Sequence, residues 1–407
     1  MMTRWFRMRW SHLPVAIGVF ILMIQWLYLM WNATGGELVP ALRFRSASTL
    51  AGVMQKAGPK FTLERFRTYA WQSDISRSIG ILSPIYKPAI RWKNQIYYTL
   101  LDTSGAPGIF VGPGRQLLTE NYVAEYCARD LQTLAAQAPA WAADIRTIQD
   151  FFEARGVTFL YLITPSKAAV YPATIPTAFT CASGVADRRE KLALYRQYLD
   201  RAGVHTVDTA TPTRDDAATS PIALFPRSGI HWNALAAGRA AQQVTDIVDQ
   251  LRGPSTLTPF TLTWTPSFKP EGSDRDLLDI MNLIWPDSRY EVPIVTYHAQ
   301  PPSQCQSTHI VEVSGSFIFR LDAALAAIPC PPHIDLWWYW GMKYFRYPGG
   351  GAGIPLPVDP RDRRSSLLDK VDVVILEEND VGIPRTPQGN DLLAFVKGQR
   401  TAAVVTR

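Results

Sequence analysis

The sequence contains no Cys-x-x-Cys pair and no His-x-x-x-His pair, and these are the spacings that common zinc modules use, so no metal is expected from it. It has no phosphate-binding loop either. The glycine tract Pro348-Gly349-Gly350-Gly351-Ala352-Gly353 lacks the Gly-Lys-Ser/Thr ending such a loop needs and reads as a connection. There is no block of lysine and arginine interleaved with aromatics. The formal charge of +6 is scattered, which argues against nucleic acid as a partner and leaves an anionic polymer or a membrane surface open. Internal repeats are absent as well. Charged residues make up only 19% of the 407 residues and hydrophobic ones 47%, a balance that excludes disorder and fits one large or two ordinary globular domains.

The longest hydrophobic run lies near the start. Leu13 to Trp31 (LPVAIGVFILMIQWLYLMW) carries no formal charge and as a helix would be about 30 Å long, matching a bilayer core. Arg4, Arg7 and Arg9 precede it without an acid. Trp5 and Trp10 on one side, and Trp26, Tyr28 and Trp31 on the other, fall where interfacial aromatics belong. The expectation is a cytoplasmic tail (1–12), a single transmembrane anchor (13–31), a helical stalk or docking segment (32–105) and a body (106–407) outside the inner membrane. A cleaved signal peptide is the rival reading, disfavoured by the length of the run and the lack of a small-residue cleavage site.

A body outside the cytoplasm gives meaning to the four cysteines, because that compartment oxidises thiols and an even count suits two disulfides. The expected pairs are Cys127 with Cys181 and Cys305 with Cys330, each bracketing one contiguous stretch; buried free thiols are the alternative. The sequon Asn32-Ala33-Thr34 lies against the expected membrane and carries no weight.

In the stalk, two amphipathic stretches, near Thr49 to Gln72 and Ala89 to Leu101, read as helices. From Gly108 the pattern changes to short apolar runs alternating with helical ones. Strands are expected at 108–112, 157–164, 204–208, 309–317 and 371–379, and helices at 131–154, 187–202 and 234–251. Runs such as VTFLYLI and VVIL show no alternation. They imply strands buried on both faces, hence an α/β fold with a mostly parallel sheet.

Two segments could carry chemistry. Val311 to Phe317 places Ser316 in a small-residue turn after an apolar strand, where a hydroxyl projects at the carboxyl end of a parallel sheet and freed N–H groups can hold an oxyanion. His231, in FPRSGIHWN, stands just before an Ala-rich helix and can face the same cleft. Structural readings compete for both: a plain Ser-Gly-Ser turn, and a loop histidine satisfied by backbone. The other histidines, His12, His205, His298, His309 and His333, sit at strand starts, in Pro-flanked loops or beside the membrane. The run Leu336-Trp337-Trp338-Tyr339-Trp340 could stack on sugar rings, although consecutive aromatics more often form core and rim.

In their joint order these segments resemble the alginate O-acetyltransferase family of periplasmic, SGNH-hydrolase-like polysaccharide acetyltransferases. GIFVGPGRQLLTENYVAEYC (108–127) is similar to the family's opening. FLYLITPSKAAVYPATIP (159–176) is similar to its Pro-x-Lys-x-x-x-Tyr-Pro segment, FPRSGIHWN to its Asp-x-His-Trp motif, VSGSF to its Gly-x-Ser-aromatic motif and VVILEENDVGIP (373–384) to its closing strand. The resemblance implies a three-layer αβα body in which Ser316 is the nucleophile and His231 its base. It implies acetyl transfer through a serine acyl-enzyme to hydroxyls of an exopolysaccharide. It implies no metal or organic cofactor, and it implies a multi-pass membrane acyltransferase as donor partner within a polysaccharide synthesis or secretion complex. A carbohydrate acetylesterase and an inactive polysaccharide-binding subunit are the alternatives. Two departures stand out: Gly229 replaces the family's acid two residues before the histidine, and Ser314 replaces the glycine two before the nucleophile. Asp208, Asp215, Asp216, Glu378 or a backbone carbonyl are the candidates to orient His231 instead.

Overall fold

The computed structural model describes residues 13–33, 50–52, 61–74, 85–128, 130–177, 179, 181, 185–305, 307–340, 343–348, 353–356, 370–384 and 386–405. The Arg4, Arg7 and Arg9 cluster, Thr34, Thr49 and most of the glycine tract lie outside these. The chain divides into two compact units, residues 1–107 with 279–286, and residues 108–278 with 287–407.

In the first unit, Leu13–Ala33 is a helix, and Val15, Phe20 and Trp26 are among its exposed side chains. Among the described residues no helix is long and apolar enough to cross a membrane. The expected helix ending near Gln72 is broken. Leu63–Arg67, capped by the Thr62 side chain, stops before Tyr69, which adopts a φ of 59°, and residues 70–74 restart it. Tyr86–Leu100 is the helix read near 89–101. It buries Asn94, Gln95 and Tyr98, and this polar face explains why residues 279–286 join the unit. Asn94 Nδ2 donates to the Met281 carbonyl at 2.6 Å, and Gln95 Oε1 accepts the N–H groups of Ile284 and Trp285.

The second unit is built on a seven-stranded sheet. Its strands are β3 (Thr158–Thr164), β4 (Thr206–Asp208), β7 (His309–Ser314), β8 (His333–Trp338), β9 (Lys343–Pro348), β10 (Ile354–Leu356) and β11 (Val373–Asn379), in the order β10-β9-β8-β7-β11-β3-β4. From β8 to β4 every pairing is parallel, and β9 and β10 add antiparallel strands at one edge. Two hairpins stand apart from it, β1 (Ile109–Gly112) with β2 (Gln116–Thr119), and β5 (Phe260–Ser267) with β6 (Val292–Ala299). The strand read at 108–112 therefore exists but belongs to a local hairpin.

The unalternating strands behave as a two-faced sheet requires. Leu160 and Leu162 of β3 enter a core with helices Ala234–Arg252 and Ile318–Ala326, while Phe159, Tyr161 and Ile163 enter a second core with Leu131–Glu153, Val185–Ala202 and Pro387–Val405. The result is three layers. Asp130 caps one flanking helix by accepting the Thr133 N–H at 2.7 Å, and Asn233 caps another by accepting those of Leu235 and Ala236 at 3.0 Å. Each such cap is worth about 1 kcal/mol. Both expected disulfides are present, Cys127–Cys181 and Cys305–Cys330, with Cα separations of 4.6 and 5.5 Å.

Five buried carboxyls, on Glu312, Asp322, Glu377, Glu378 and Asp380, are held above the ordinary carboxylate range, in each case first by burial. Glu378 is pushed up to about 7. A carboxyl raised above its unfolded value favours the protonated fold, so its stabilisation is complete below about pH 4 and is lost as pH rises through the folded value. Thermal unfolding is therefore expected at a higher temperature near pH 5 than near pH 8, and Glu378→Gln should flatten that slope. A midpoint that rises between these pH values would contradict the assignment.

Candidate active site

The geometry at the carboxyl end of the sheet follows from three segments of the second unit. Ser316 stands in the turn between β7 and the helix Ile318–Ala326, and is half-buried. Its hydroxyl lies 2.9 Å from Nε2 of His231, and His231 Nδ1 lies 2.6 Å from Oδ2 of Asp276. An ionised carboxylate only accepts, so Nδ1 carries the proton and donates to Asp276. That leaves the Nε2 lone pair to accept from the Ser316 hydroxyl. The side chains of His231 and Asp276 are 18% and 24% exposed, enough to admit a reactant while limiting water.

Asp276 corrects the candidates read from the sequence. Asp208 accepts the N–H groups of Ala210 and Thr211 at the start of a helix, Asp215 lies 3.6 Å from Arg214, and Asp216 pairs with Arg239 at 2.7 Å. Glu378 is buried against Tyr161 and Thr386. None of the four meets His231. Asp276 follows it by 45 residues, and no local spacing marks it. Its other oxygen accepts the N–H groups of Ile230 at 3.0 Å and Leu277 at 2.7 Å, which aims the carboxylate at the neighbouring imidazole.

Gly229 explains why the acid arrives from elsewhere. A Cβ placed there would lie 2.4 Å from the Ser273 carbonyl oxygen and 3.1 Å from that of Asp274. The segment that delivers Asp276 thus occupies the space a side chain at 229 would need. Arg320 pins this segment by donating to Ser273 Oγ at 2.6 Å and pairing with Asp274 at 2.8 Å, and the Leu277 N–H donates to the Ser228 carbonyl. Gly229→Asp is expected to destabilise the second unit, by about 1–3 kcal/mol or more for such overpacking. A thermal midpoint equal to the parent protein's would show that the loop accommodates a side chain.

The loop that carries His231 is held from below. Lys167 is wholly buried, and its ammonium donates to the carbonyls of Leu117, Pro226, Arg227 and Gly229 at 2.8–3.1 Å. Burial pulls its pKa down to about 7, opposed by the charge of Asp276. The three N–H groups of the ammonium, one of them shared, serve these four oxygens, whereas a neutral amine would turn a lone pair toward one of them. Tyr171, four residues on, accepts the Leu224 N–H at 2.9 Å. Trp232 is fully buried and its Nε1 donates to the Phe317 carbonyl at 3.0 Å, tying the histidine's neighbour to the serine's. The Pro-Ser-Lys and His-Trp segments read from the sequence are therefore parts of one support.

Around the serine, the Gly315 N–H donates to Glu377 Oε2 at 2.7 Å, and Glu377 is also bonded to Thr164. The Ser316 N–H has no acceptor among the described residues, which leaves it for a developing oxyanion. Ser314 ends β7 wholly buried, and its hydroxyl has no partner among the described residues. The histidine thus meets Ser316 and not Ser314.

Several solved structures are similar to this chain. The O-acetyltransferase domain of Pseudomonas putida AlgJ is 17% identical over 70% of this chain and 99% of that one, with a TM-score of 0.45. Pseudomonas aeruginosa AlgX is 10% identical over 76% and 71%, with a TM-score of 0.45, and Bacillus cereus PatB1 is 12% identical over 69% and 98%, with a TM-score of 0.39. No curated protein matches the chain. Residues 122–310 match the family described as the SGNH hydrolase-like domain of acetyltransferase AlgX, a stretch that holds Lys167, His231 and Asp276 and ends six residues before Ser316. Over these residues the chain is similar to the SGNH hydrolase-like acetyltransferase family.

Proposed function

We propose that the second unit is an O-acetyltransferase that moves an acetyl group through Ser316 to hydroxyls of an exopolysaccharide. The observation that carries this is the hydroxyl, imidazole and carboxylate relay of Ser316, His231 and Asp276, set within a family of acetyltransferases. Ser316 Oγ attacks the carbonyl carbon of the donor while its proton passes to His231 Nε2, and Asp276 stabilises the imidazolium. The Ser316 N–H faces the negative oxygen. The imidazolium then protonates the departing group, leaving acetyl-Ser316. In the second half an acceptor hydroxyl gives its proton to His231, attacks the acyl carbon and releases the serine. Each proton passes through the Ser316–His231 contact that Asp276 orients.

Location and partners belong to the same proposal. The charge-free run at 13–31, the arginines before it and the two disulfides support a single-pass inner-membrane protein with its N-terminus in the cytoplasm and its catalytic body in the periplasm. Soluble acetyl-CoA is lacking there, so a multi-pass membrane acyltransferase in a polysaccharide synthesis or secretion complex would supply the acetyl group.

The test is turnover of a chromogenic acetyl ester with and without an oligosaccharide acceptor. The expected result is acetylated sugar, with acceptor-dependent turnover. Ester hydrolysis that ignores the acceptor would make the protein an esterase. Neither turnover nor covalent labelling of Ser316 would leave a binding subunit.

A further inference from the structure

At the opposite end of the sheet, seven residues before Ser316 and so roughly 20 Å away at strand rise, two histidines and an aspartate converge. His309 and His333 open β7 and β8 and are partners in register, and Asp335 lies two residues along β8, on the same face as His333. His309 Nε2 is 3.2 Å from Asp335 Oδ2, His333 Nε2 is 3.6 Å from Asp335 Oδ1, and the three ligand atoms lie within 4.8 Å of one another. We infer that His309, His333 and Asp335 form a binding site for a divalent transition metal of the zinc type, completed by solvent.

Three observations carry the inference. First, a tetrahedral ion with bonds of about 2.0–2.1 Å sets its ligands about 3.3 Å apart. His309 Nε2 stands 3.2 Å from one Asp335 oxygen and His333 Nε2 3.6 Å from the other, and with all three ligand atoms within 4.8 Å a side-chain rotation of about 1–2 Å completes the set. Second, His309 Nδ1 lies 3.0 Å from the Lys370 carbonyl, to which it must donate. That bond fixes Nδ1 as a donor, so a metal that displaces the proton Nε2 now offers to Asp335 meets the Nε2 lone pair, the orientation a metal-ligating histidine takes from its outer partner. Third, Asp335 is held by Arg346, whose Nε donates to Oδ1 at 2.7 Å and whose terminal nitrogen lies 3.3 Å from Oδ2, so the carboxylate is fixed in place and still shares its outer lone pairs. Two imidazole nitrogens facing one carboxylate suit zinc, nickel or copper better than magnesium or calcium. The His309 and His333 side chains are 23% and 36% exposed, which leaves an entry path. The expectation of no metal rested on spacing along the chain, and these ligands, 24 residues apart on two paired strands, fall outside every linear pattern.

The experiment uses the untagged full-length protein in detergent, stripped with a chelator and dialysed against Zn²⁺ alone. One zinc per chain is expected, with affinity lowered about tenfold or more in each of His309→Gln, His333→Gln and Asp335→Asn, and unchanged in the exposed His298→Gln. All four disulfide cysteines are unable to compete. In the parent protein Co²⁺ should give the intense visible absorption of a tetrahedral nitrogen and oxygen site, a reading that needs no variant to fold. Substoichiometric zinc, a weak octahedral cobalt spectrum, or full binding in His309→Gln together with His333→Gln would overturn the site and leave an ion-pair network. Binding is read without turnover, so this outcome is independent of the acetyl-transfer assay.

Discussion

Asp276→Asn is expected to lower acetyl transfer by about 10³- to 10⁴-fold with little loss of stability. The size follows from what the carboxylate does: neutralising the acid of a serine, histidine and acid triad costs about 10⁴ in turnover while geometry persists, because the imidazole loses its tautomer and its counter-charge. An asparagine keeps the shape of the side chain and can still accept the Ile230 and Leu277 N–H groups through its amide oxygen, so the loop should stay in place. Ser316→Ala and His231→Ala should each abolish transfer, and the double variant should be scarcely worse than either, since both groups perform one proton-coupled step. Ser314→Ala is the control and should largely retain activity. The measurement is single-turnover acetylation by an activated ester with the modified peptide identified by mass spectrometry. Acetyl on Ser314, or near-normal rates in Asp276→Asn, would defeat the assignment.

Lys167→Met should be the most damaging single change outside the relay. Methionine has similar length but donates nothing, and it would leave the Leu117 and Gly229 carbonyls without the ammonium, while those of Arg227 and Pro226 keep the N–H groups of Leu117 and Gly229. Each orphaned acceptor costs about 1–3 kcal/mol, so a loss of about 2–6 kcal/mol is expected. For a domain of this size that is about 4 °C or more in thermal midpoint. Activity should fall further than stability alone accounts for, because Pro226 to Gly229 leads directly into His231. Tyr171→Phe removes one bond to Leu224 from the same support and should cost about 1 kcal/mol. A folded Lys167→Met protein with parental turnover would show that the loop holds itself.

The body of the fold is legible in the sequence because its signals are local and redundant. The runs at 157–164 and 371–379 lack alternation, which only two-sided burial explains, and both are central parallel strands. The helices at 131–154 and 234–251 carry their own caps and stops, Asp130 and Asn233 at the start and Gly253 at the end of the second. Less was visible at the edges. β8 reads in the sequence as a run of aromatics, and nothing local marks the β5–β6 hairpin or the C-terminal helix, because their identity depends on the neighbours they pair with or pack against.

Ser316 and His231 could be chosen from the sequence because each sits at the end of a regular element and within a segment that resembles the family's motifs. The disulfide partners could be chosen for a similar reason, since each pair closes one contiguous stretch. The orienting acid could not. Asp276 comes from a segment whose position is set by Arg320, Ser228 and the missing side chain at Gly229, none of them adjacent to it in the chain. The same holds for Lys167, a residue whose motif was visible but whose role exists only once four carbonyls from two loops surround it, and for the His309, His333 and Asp335 cluster. Local chemistry and periodicity determined the layers, and motif resemblance marked the proposed nucleophile and base. Convergence of distant segments decided the rest, because a hydrogen bond or a ligand set depends on separation in space, which the chain encodes only through its packing.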